Sequence, residues 1–217
     1  MESPTGMGLE RRPRNSHSQL VEGIVLPAPV SGHPALELCN TFAGWNSGPE
    51  SGDFLRGYDE FVVWAMAFDV VEVPFGQRLR RRASRAPAEA REALDEARAF
   101  RAAYYRVLTR PQSRPGRDWD RVADLAREAA CRSDLVPTQD AAAWRVSERA
   151  GLRVPLLAAA TIAAAFLTSG DAQHVHACPG RGCGWLFLDR SGRRRWCTMT
   201  MCGNRAKARR FAERHRG

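Results

Sequence analysis

The sequence predicts a mainly α-helical fold with a small β component: a helical N-terminal domain and a small C-terminal unit built from a β-hairpin and a helix. Apolar residues recur every three or four positions in several stretches of the 217-residue chain, as they do in helices buried along one face. Apolar residues make up 44% of the sequence, which is enough for a core. Four of the six cysteines lie in the last forty residues, so this end is expected to form a unit of its own.

Composition sets the expected domain limits. Residues 1–30 mix Ser, Pro, Gly, Arg and Asn without apolar periodicity, which predicts a disordered N-terminal extension. A short strand over residues 20–26, ended by Pro27, is the alternative within it. We expect the helical domain to occupy residues 31–172 and the cysteine-containing unit to occupy residues 173–217.

Pro87 begins the clearest helical pattern, with acidic residues in the first turns that suit the positive end of the helix dipole. Its apolar positions are Ala90, Leu94, Ala97, Phe100, Tyr104 and Leu108. Asp59 and Asp118 are expected to cap two further helices. The apolar run 154–167 predicts a helix at the centre of the domain. With fourteen residues it is shorter than the ~20 that span a bilayer.

Three other features of the N-terminal domain have local interpretations. The basic run 78–85 is expected to be a solvated face or a loop. Residues 135–153 are expected to form either a hairpin or an irregular loop. Cys39 and Cys131 have no partner at ligand spacing, so both are expected to be buried small hydrophobic residues.

The remaining cysteines form two CxxxxC pairs separated by thirteen residues, Cys178 with Cys183 and Cys197 with Cys202. Two close pairs joined by a short loop can supply the four ligands of a tetrahedral metal, and four thiolates suit Zn²⁺. Two disulfides are the alternative, but they require an oxidising compartment, and we find no signal peptide in the sequence. We therefore expect one closed zinc site per chain.

The residues around these cysteines predict a small zinc finger. Residues 189–192 have the composition of a hairpin turn, and Trp185 and Phe187 are expected to form a miniature core that depends on the metal. Asn204 suits the start of a helix to about His215. We expect Ala206 and Phe211 to face inward from that helix.

Charge is distributed unevenly along the chain. Residues 178–217 hold eleven basic and two acidic side chains, whereas the preceding residues hold equal numbers of each, so the whole excess of +9 lies at the C-terminal end. Such a concentration is typical of a surface that binds a polyanion. Codon bias toward arginine would explain the choice of arginine over lysine, but not the scarcity of acidic residues at this end.

The C-terminal stretch resembles the CGNR zinc-finger family over about residues 174–214. The resemblance is carried by the sequences GWLFLD at 184–189 and RRWC at 194–197, and by the CGNR motif at 202–205. It implies a bacterial protein of a family of stress-induced transcription regulators that bind DNA. It also implies that Cys178, Cys183, Cys197 and Cys202 are all zinc ligands.

A second resemblance covers residues 36–41, which are similar to the Asn-Thr opening of the family's N-terminal ABATE domain. It suggests a ligand pocket near this point, so Asn40 and Thr41 become candidates to line it. The alternative is that the two residues cap or turn the chain, as Asn and Thr commonly do.

Phosphate contact is the expected role of the basic residues in the finger, because a guanidinium matches phosphate oxygens. For Arg205 we favour a structural role, offsetting the negative charge of the thiolates, although it stays among the candidates. The candidate nucleic-acid contacts are Arg193, Arg194, Arg195, Arg205, Lys207, Arg209 and Arg210.

Together these features predict a cytoplasmic, nucleoid-associated transcription regulator with DNA as its partner, a small-molecule effector bound by the N-terminal domain, and no membrane partner. A homodimer would provide geometry for sequence preference. The alternative function is a zinc-stabilised module that binds protein or RNA without sequence-specific DNA binding. We expect no enzymatic activity, because the sequence contains no catalytic triad, phosphate loop or paired-carboxylate signature.

Overall fold

The structure is a computed structural model that describes residues 9–15, 17–46, 52–110, 116–138 and 141–215. It confirms the predicted fold class, with helices forming most of the molecule and short strands the rest. The helices are α1 (Pro34–Asn40), α2 (Tyr58–Ala67), α3 (Val73–Ala83), α4 (Pro87–Thr109), α5 (Arg117–Cys131), α6 (Val154–Leu167) and α7 (Asn204–Arg214). The strands are β1 (Arg11–Asn15), β2 (Ser18–Val21), β3 (Ile24–Pro27), β4 (Ser133–Pro137), β5 (Ala142–Val146), β6 (Val175–Ala177) and β7 (Leu186–Leu188).

Helix α6 lies at the centre of the helical domain, as its uninterrupted apolar sequence predicts. It packs against α1, α2, α4 and α5, and Leu156, Leu157 and Phe166 are almost fully buried. The run Glu148–Leu167 has the length and composition of a membrane span, but 56% of that window is buried inside the protein. A non-helical Gly151 also divides the run. These features are those of a core helix.

Two of the predicted helices begin slightly differently from the expectation. Gly57 and Gly116 occupy the N-cap positions of α2 and α5, and Asp59 and Asp118 lie in the first turns instead. Each of these carboxylates binds an arginine of a neighbouring helix: Arg80 of α3 donates to Asp59, and Arg106 of α4 donates to Asp118. The Arg106 hydrogen bond lowers the pKa of Asp118. The carboxylates therefore stabilise helix packing rather than the helix ends.

The strands of residues 11–15, 18–21 and 24–27 differ from the expected disordered extension, because they form the antiparallel sheet β1–β2–β3. Val21 and Leu26 are fully buried, and Arg11 donates a hydrogen bond to the carbonyl of Ala67 at 2.7 Å. A tight turn at residues 22–23 joins β2 to β3. Strands β2 and β3 have only four residues each. They therefore contain too few apolar residues to give a clear periodic signal in the sequence. Residues 1–8 and 16 lie outside the described ranges.

Two ambiguous stretches are resolved by the structure. The basic run is the C-terminal half of α3, a solvated face whose Arg78 and Arg82 pair with Glu148 and Glu89. The stretch 135–153 includes the hairpin β4–β5, in which Leu135 pairs with Trp144. Cys39 is fully buried as expected, whereas Cys131 is exposed at the end of α5.

Helices α2 and α3 meet at a glycine, and this contact gives a test of the packing. A Cβ atom at Gly76 would lie 2.4 Å from Sδ of Met66, which is itself fully buried. We predict that Gly76→Ala lowers the free energy of unfolding by about 1–3 kcal/mol, because the core must shift to admit the methyl group. Urea unfolding measures the change. Gly170→Ala is the matched control, since nothing lies within 4 Å of the added atom; an equal loss in both variants would contradict the packing argument.

Candidate metal centre

Four buried cysteine sulfurs converge in the C-terminal unit. The Sγ atoms of Cys178, Cys183, Cys197 and Cys202 all lie within 4.8 Å of one another. Cys197 Sγ is 3.6 Å from both Cys183 Sγ and Cys202 Sγ. Cys178 directly follows β6, and Cys197 lies after the turn that follows β7. Cys202 lies in a helical turn, Met199–Gly203, that leads into α7. The structure therefore brings together the four residues that the spacing predicted.

The donor set and its dimensions fit one tetrahedral zinc ion. Sulfurs at the usual Zn–S distance are separated by about 3.8 Å in a tetrahedron, close to the 3.6 Å contacts in the site. A disulfide needs a separation of about 2 Å, and all four cysteines are free thiols. The site is thus a metal-binding cluster and not a pair of disulfides. A bound zinc ion would supply a structural cross-link between the two CxxxxC segments.

The sulfurs influence one another's protonation strongly. Hydrogen bonds from the thiol of Cys183 and its neighbours lower the pKa of Cys178. The contact with Cys178 raises the pKa of Cys197 in turn, and burial adds to that increase. Four thiolates cannot be crowded together without a counter-charge, so a divalent cation that replaces the shared protons is the natural occupant.

Small residues allow the chain to close around this cluster. A Cβ atom at Gly180 would lie 2.7 Å from Sγ of Cys202. Gly184 has φ +72, and its Cβ would lie 2.6 Å from Cβ of Trp45 in the helical domain. Only glycine meets both the conformation and the close approach at residue 184.

The loop after α1 holds the first cysteine segment directly. The backbone amides of Gly44 and Trp45 donate to the carbonyl of Cys183 at 3.0 and 3.1 Å, and the side chain of Asn46 donates to Gly180 O at 2.9 Å. The indole of Trp45 stacks on the ring of Tyr105 at 4.0 Å. The metal centre is therefore built partly by the helical domain. Sequence reasoning missed these residues, because a Gly-rich loop indicates a turn and not the surface that it contacts.

Asn40 and Thr41 are completely buried, and their side chains bond to the protein itself. The amide of Asn40 donates to Leu186 O at 3.0 Å and accepts from Leu186 N at 2.7 Å, so it pairs with β7 as a neighbouring strand would. Thr41 is the C-cap of α1, donates to Leu38 O and accepts from Arg101. The capping alternative thus describes Thr41, and Asn40 joins the two parts of the molecule.

The finger has a small buried core of its own, as predicted, and the helical domain packs against it. Trp185 and Phe187 are buried together with the cysteines, and Val30 and Phe54 of the helical domain pack against the same cluster. The indole nitrogen of Trp185 donates to Phe42 O at 3.0 Å. The expected small core therefore forms, and contacts with the larger domain add to its burial.

Arg194 differs from the other candidate nucleic-acid contacts. Its guanidinium donates to the carbonyls of Val30 and Cys197 and lies 4.7 Å from the centre of the Phe187 ring. Its backbone amide donates to Asp189 at 2.7 Å. Hydrogen bonds to that carboxylate, led by the Ser191 hydroxyl, lower the pKa of Asp189 to about 2. Arg194 therefore stabilises the hairpin and is not free to bind phosphate.

The remaining candidates, together with Arg214 of α7, stay at the exterior of the finger, and we call these seven residues the basic surface. They are Arg193, Arg195, Arg205, Lys207, Arg209, Arg210 and Arg214, all exposed. In the part of the chain that the structure describes, none of them forms a salt bridge. Arg205 is also the predicted partner of the thiolates, but its guanidinium forms no hydrogen bond and no salt bridge among the described residues. Ala206 is buried as expected, whereas Phe211 is 58% exposed, contrary to expectation.

Two family models match the chain. The model of the ABATE family, described as putative stress-induced transcription regulators, matches residues 32–170. The model of the CGNR zinc finger matches residues 174–215. No curated protein matches the sequence.

Removal of a single cysteine tests the metal centre. We predict that Cys202→Ser lowers zinc content well below one ion per chain, because three thiolates no longer complete the tetrahedral site. Elemental analysis of the purified protein measures the metal. Cys131→Ser is the control, since that thiol is exposed and distant in sequence from the cluster. Full zinc content in Cys202→Ser would show that this sulfur is not a ligand.

A second test concerns the bond between the domains. We predict that Asn40→Ala costs about 2–4 kcal/mol of stability, since it leaves the buried N–H and C=O of Leu186 without partners. Thermal and urea unfolding of the zinc-loaded chain measure the loss. Asn204→Ala is the control, because Asn204 is exposed. A change of less than about 1 kcal/mol in the free energy of unfolding of Asn40→Ala would contradict the stabilising role of the Asn40–Leu186 hydrogen bonds.

Proposed function

The chain belongs to the ABATE family of putative stress-induced transcription regulators and ends in a CGNR zinc finger, and we propose from this that it regulates transcription by binding DNA through the basic surface. In this proposal the helical domain senses a ligand or a stress signal. The two functions are joined by the contacts of Asn40, Trp45 and Tyr105 with the finger.

The unpaired charge of the basic surface is the observation that carries the proposal. In the helical domain, arginines such as Arg101 and Arg153 are paired with carboxylates. On the finger only Arg190 has an acidic partner, Asp171, among the described residues. Cations left exposed on one small unit attract a polyanion and release its counterions on binding.

Helix α7 arranges part of this charge along one face. Lys207, Arg210 and Arg214 are separated by three and four residues, so they project from the same side of the helix. The eleven residues of α7 extend about 16 Å, and the major groove of DNA admits a helix. Arg193 and Arg195 extend from the neighbouring hairpin, where Arg195 lies 5.4 Å from the ring of Trp196.

The metal has a structural role in this proposal. We propose one Zn²⁺ per chain, held by the four cysteines, which fixes the hairpin and the start of α7 relative to each other. Cysteine fills all four positions of the tetrahedron, so the donor set leaves no position for substrate. We accordingly propose a binding protein and not an enzyme. A homodimer would place two finger units on one duplex.

Substitution of the α7 face tests DNA binding. We predict that the variant Lys207→Ala/Arg210→Ala/Arg214→Ala binds duplex DNA more weakly and lowers the salt slope by up to about 0.9 for each phosphate that is no longer neutralised. Fluorescence anisotropy with a labelled duplex at several salt concentrations measures both. Arg194 is left intact, because its removal would disturb the hairpin.

The control removes the same charge from the helical domain. Arg91, Arg121 and Arg149 are exposed and form no salt bridge among the described residues, so Arg91→Ala/Arg121→Ala/Arg149→Ala should bind DNA almost as the unaltered chain does. An equal loss of DNA affinity in both triple variants would show that only the net charge of the protein matters. That result would contradict a specific DNA-binding surface.

One observation favours the second candidate function, an RNA- or protein-binding module. Phe211 is 58% exposed and Met199 50% exposed, and the Phe211 ring lies 4.0 Å from that of His215. Exposed aromatic side chains among basic residues stack on unpaired bases. Tighter binding of single-stranded RNA than of duplex DNA in the same assay, abolished in Phe211→Ala, would favour this alternative.

A further inference from the structure

A cavity of about 450 Å³ opens on the helical domain, away from the metal centre. It lies between the end of α2, the start of α3, the hairpin β4–β5 and one side of α6. Its volume falls within the range of small-molecule sites. Asn40 and Thr41, the expected pocket residues, are not part of its lining.

The lining combines an apolar wall with an exposed aromatic side chain. Phe75 of α3, Val136 of β4 and Ile162 of α6 contribute to the wall. Trp144 of β5 also lines the cavity and is 66% exposed, and its cross-strand partner Leu135 is 60% exposed. This exposed cross-strand pair forms an apolar patch beside the cavity, and such patches mark ligand or partner sites when they are contiguous.

The charge of the lining is negative. It contains the carboxylates of Asp69, Glu72, Asp134 and Glu148 and a single guanidinium, that of Arg145. Glu72 is paired with Arg145, and Glu148 with Arg78 at 2.5 Å. In the ranges that the structure describes, Asp69 and Asp134 form no salt bridge. Two carboxylates therefore remain to attract a cation, in a protein whose net excess of positive charge lies elsewhere.

We propose that this cavity binds an organic cation with an aromatic or bulky apolar body. The apolar wall, which includes Phe75, would take the body, the face of Trp144 would attract the positive charge, and Asp69 and Asp134 would offset it. The ring of Phe75 is already covered by the guanidinium of Arg78, 5.1 Å from its centre. Nucleic acid is excluded as an occupant by the sign of the charge. The role of this cavity as an effector site rests on the proposed sensing function of the domain. The binding of the cation itself does not depend on whether the protein binds DNA.

Calorimetric titration of the zinc-loaded full chain with tetraphenylphosphonium tests the site. We expect one cation per chain, bound at least about fivefold more tightly than triphenylphosphine oxide, a neutral molecule with three of the same rings. The variant Asp69→Asn/Asp134→Asn should weaken cation binding about tenfold, and Trp144→Ala about fivefold. All three side chains are exposed, so these variants should fold, which circular dichroism checks.

The matched control is Asp120→Asn/Asp124→Asn, which removes two exposed carboxylates of α5 that do not line the cavity. It should bind the cation as tightly as the unaltered chain. No binding of the cation, equal binding of the neutral molecule, or an unchanged affinity in Asp69→Asn/Asp134→Asn would overturn the proposal. Cation binding by a chain that does not bind DNA would overturn the proposed function and leave this inference standing.

Discussion

The convergence of four buried sulfurs on one point is the constraint on which the C-terminal structure depends. Thiol groups packed within 4.8 Å of one another are stable together when a cation replaces their protons. Such an ion would fix two short segments which have little regular structure of their own, next to the start of α7. The helical domain completes the arrangement, because Gly44 and Trp45 bind the carbonyl of Cys183 and Asn40 pairs with β7. The metal centre and the helical domain therefore stabilise each other.

This interdependence separates two classes of arginine. Arg194 is turned inward and satisfies carbonyls at the junction, and Arg101, only 4% exposed, binds Asp53 and Thr41 beneath it. The residues of the basic surface face outward without carboxylate partners among the described residues. A desolvated arginine must be paired within the protein, whereas an exposed one keeps its charge available to a polyanion. Position in the fold, more than residue type, thus decides which arginines can bind nucleic acid.

Much of the fold and the convergence of the four cysteines could be predicted from the sequence, because their signals are local. The three- and four-residue period defined α4, and the two CxxxxC pairs defined the cysteine cluster. Signals that depend on distant partners were missed. Asn40 and Leu186 are 146 residues apart, and no local pattern indicates that an amide will replace a strand there. The formation of the sheet β1–β2–β3 and the outward orientation of Phe211 likewise depend on which parts of the chain pack against each other. Short-range periodicity does not contain that information.

The affinity of the full chain for duplex DNA, measured before zinc removal, after removal by a strong chelator and after zinc is restored, tests the central claim most directly. If the metal-held finger presents the basic surface to DNA, affinity falls on removal and returns with the ion. Equal affinity in all three states would contradict the account, because the arginines would then bind DNA without the structure that arranges them.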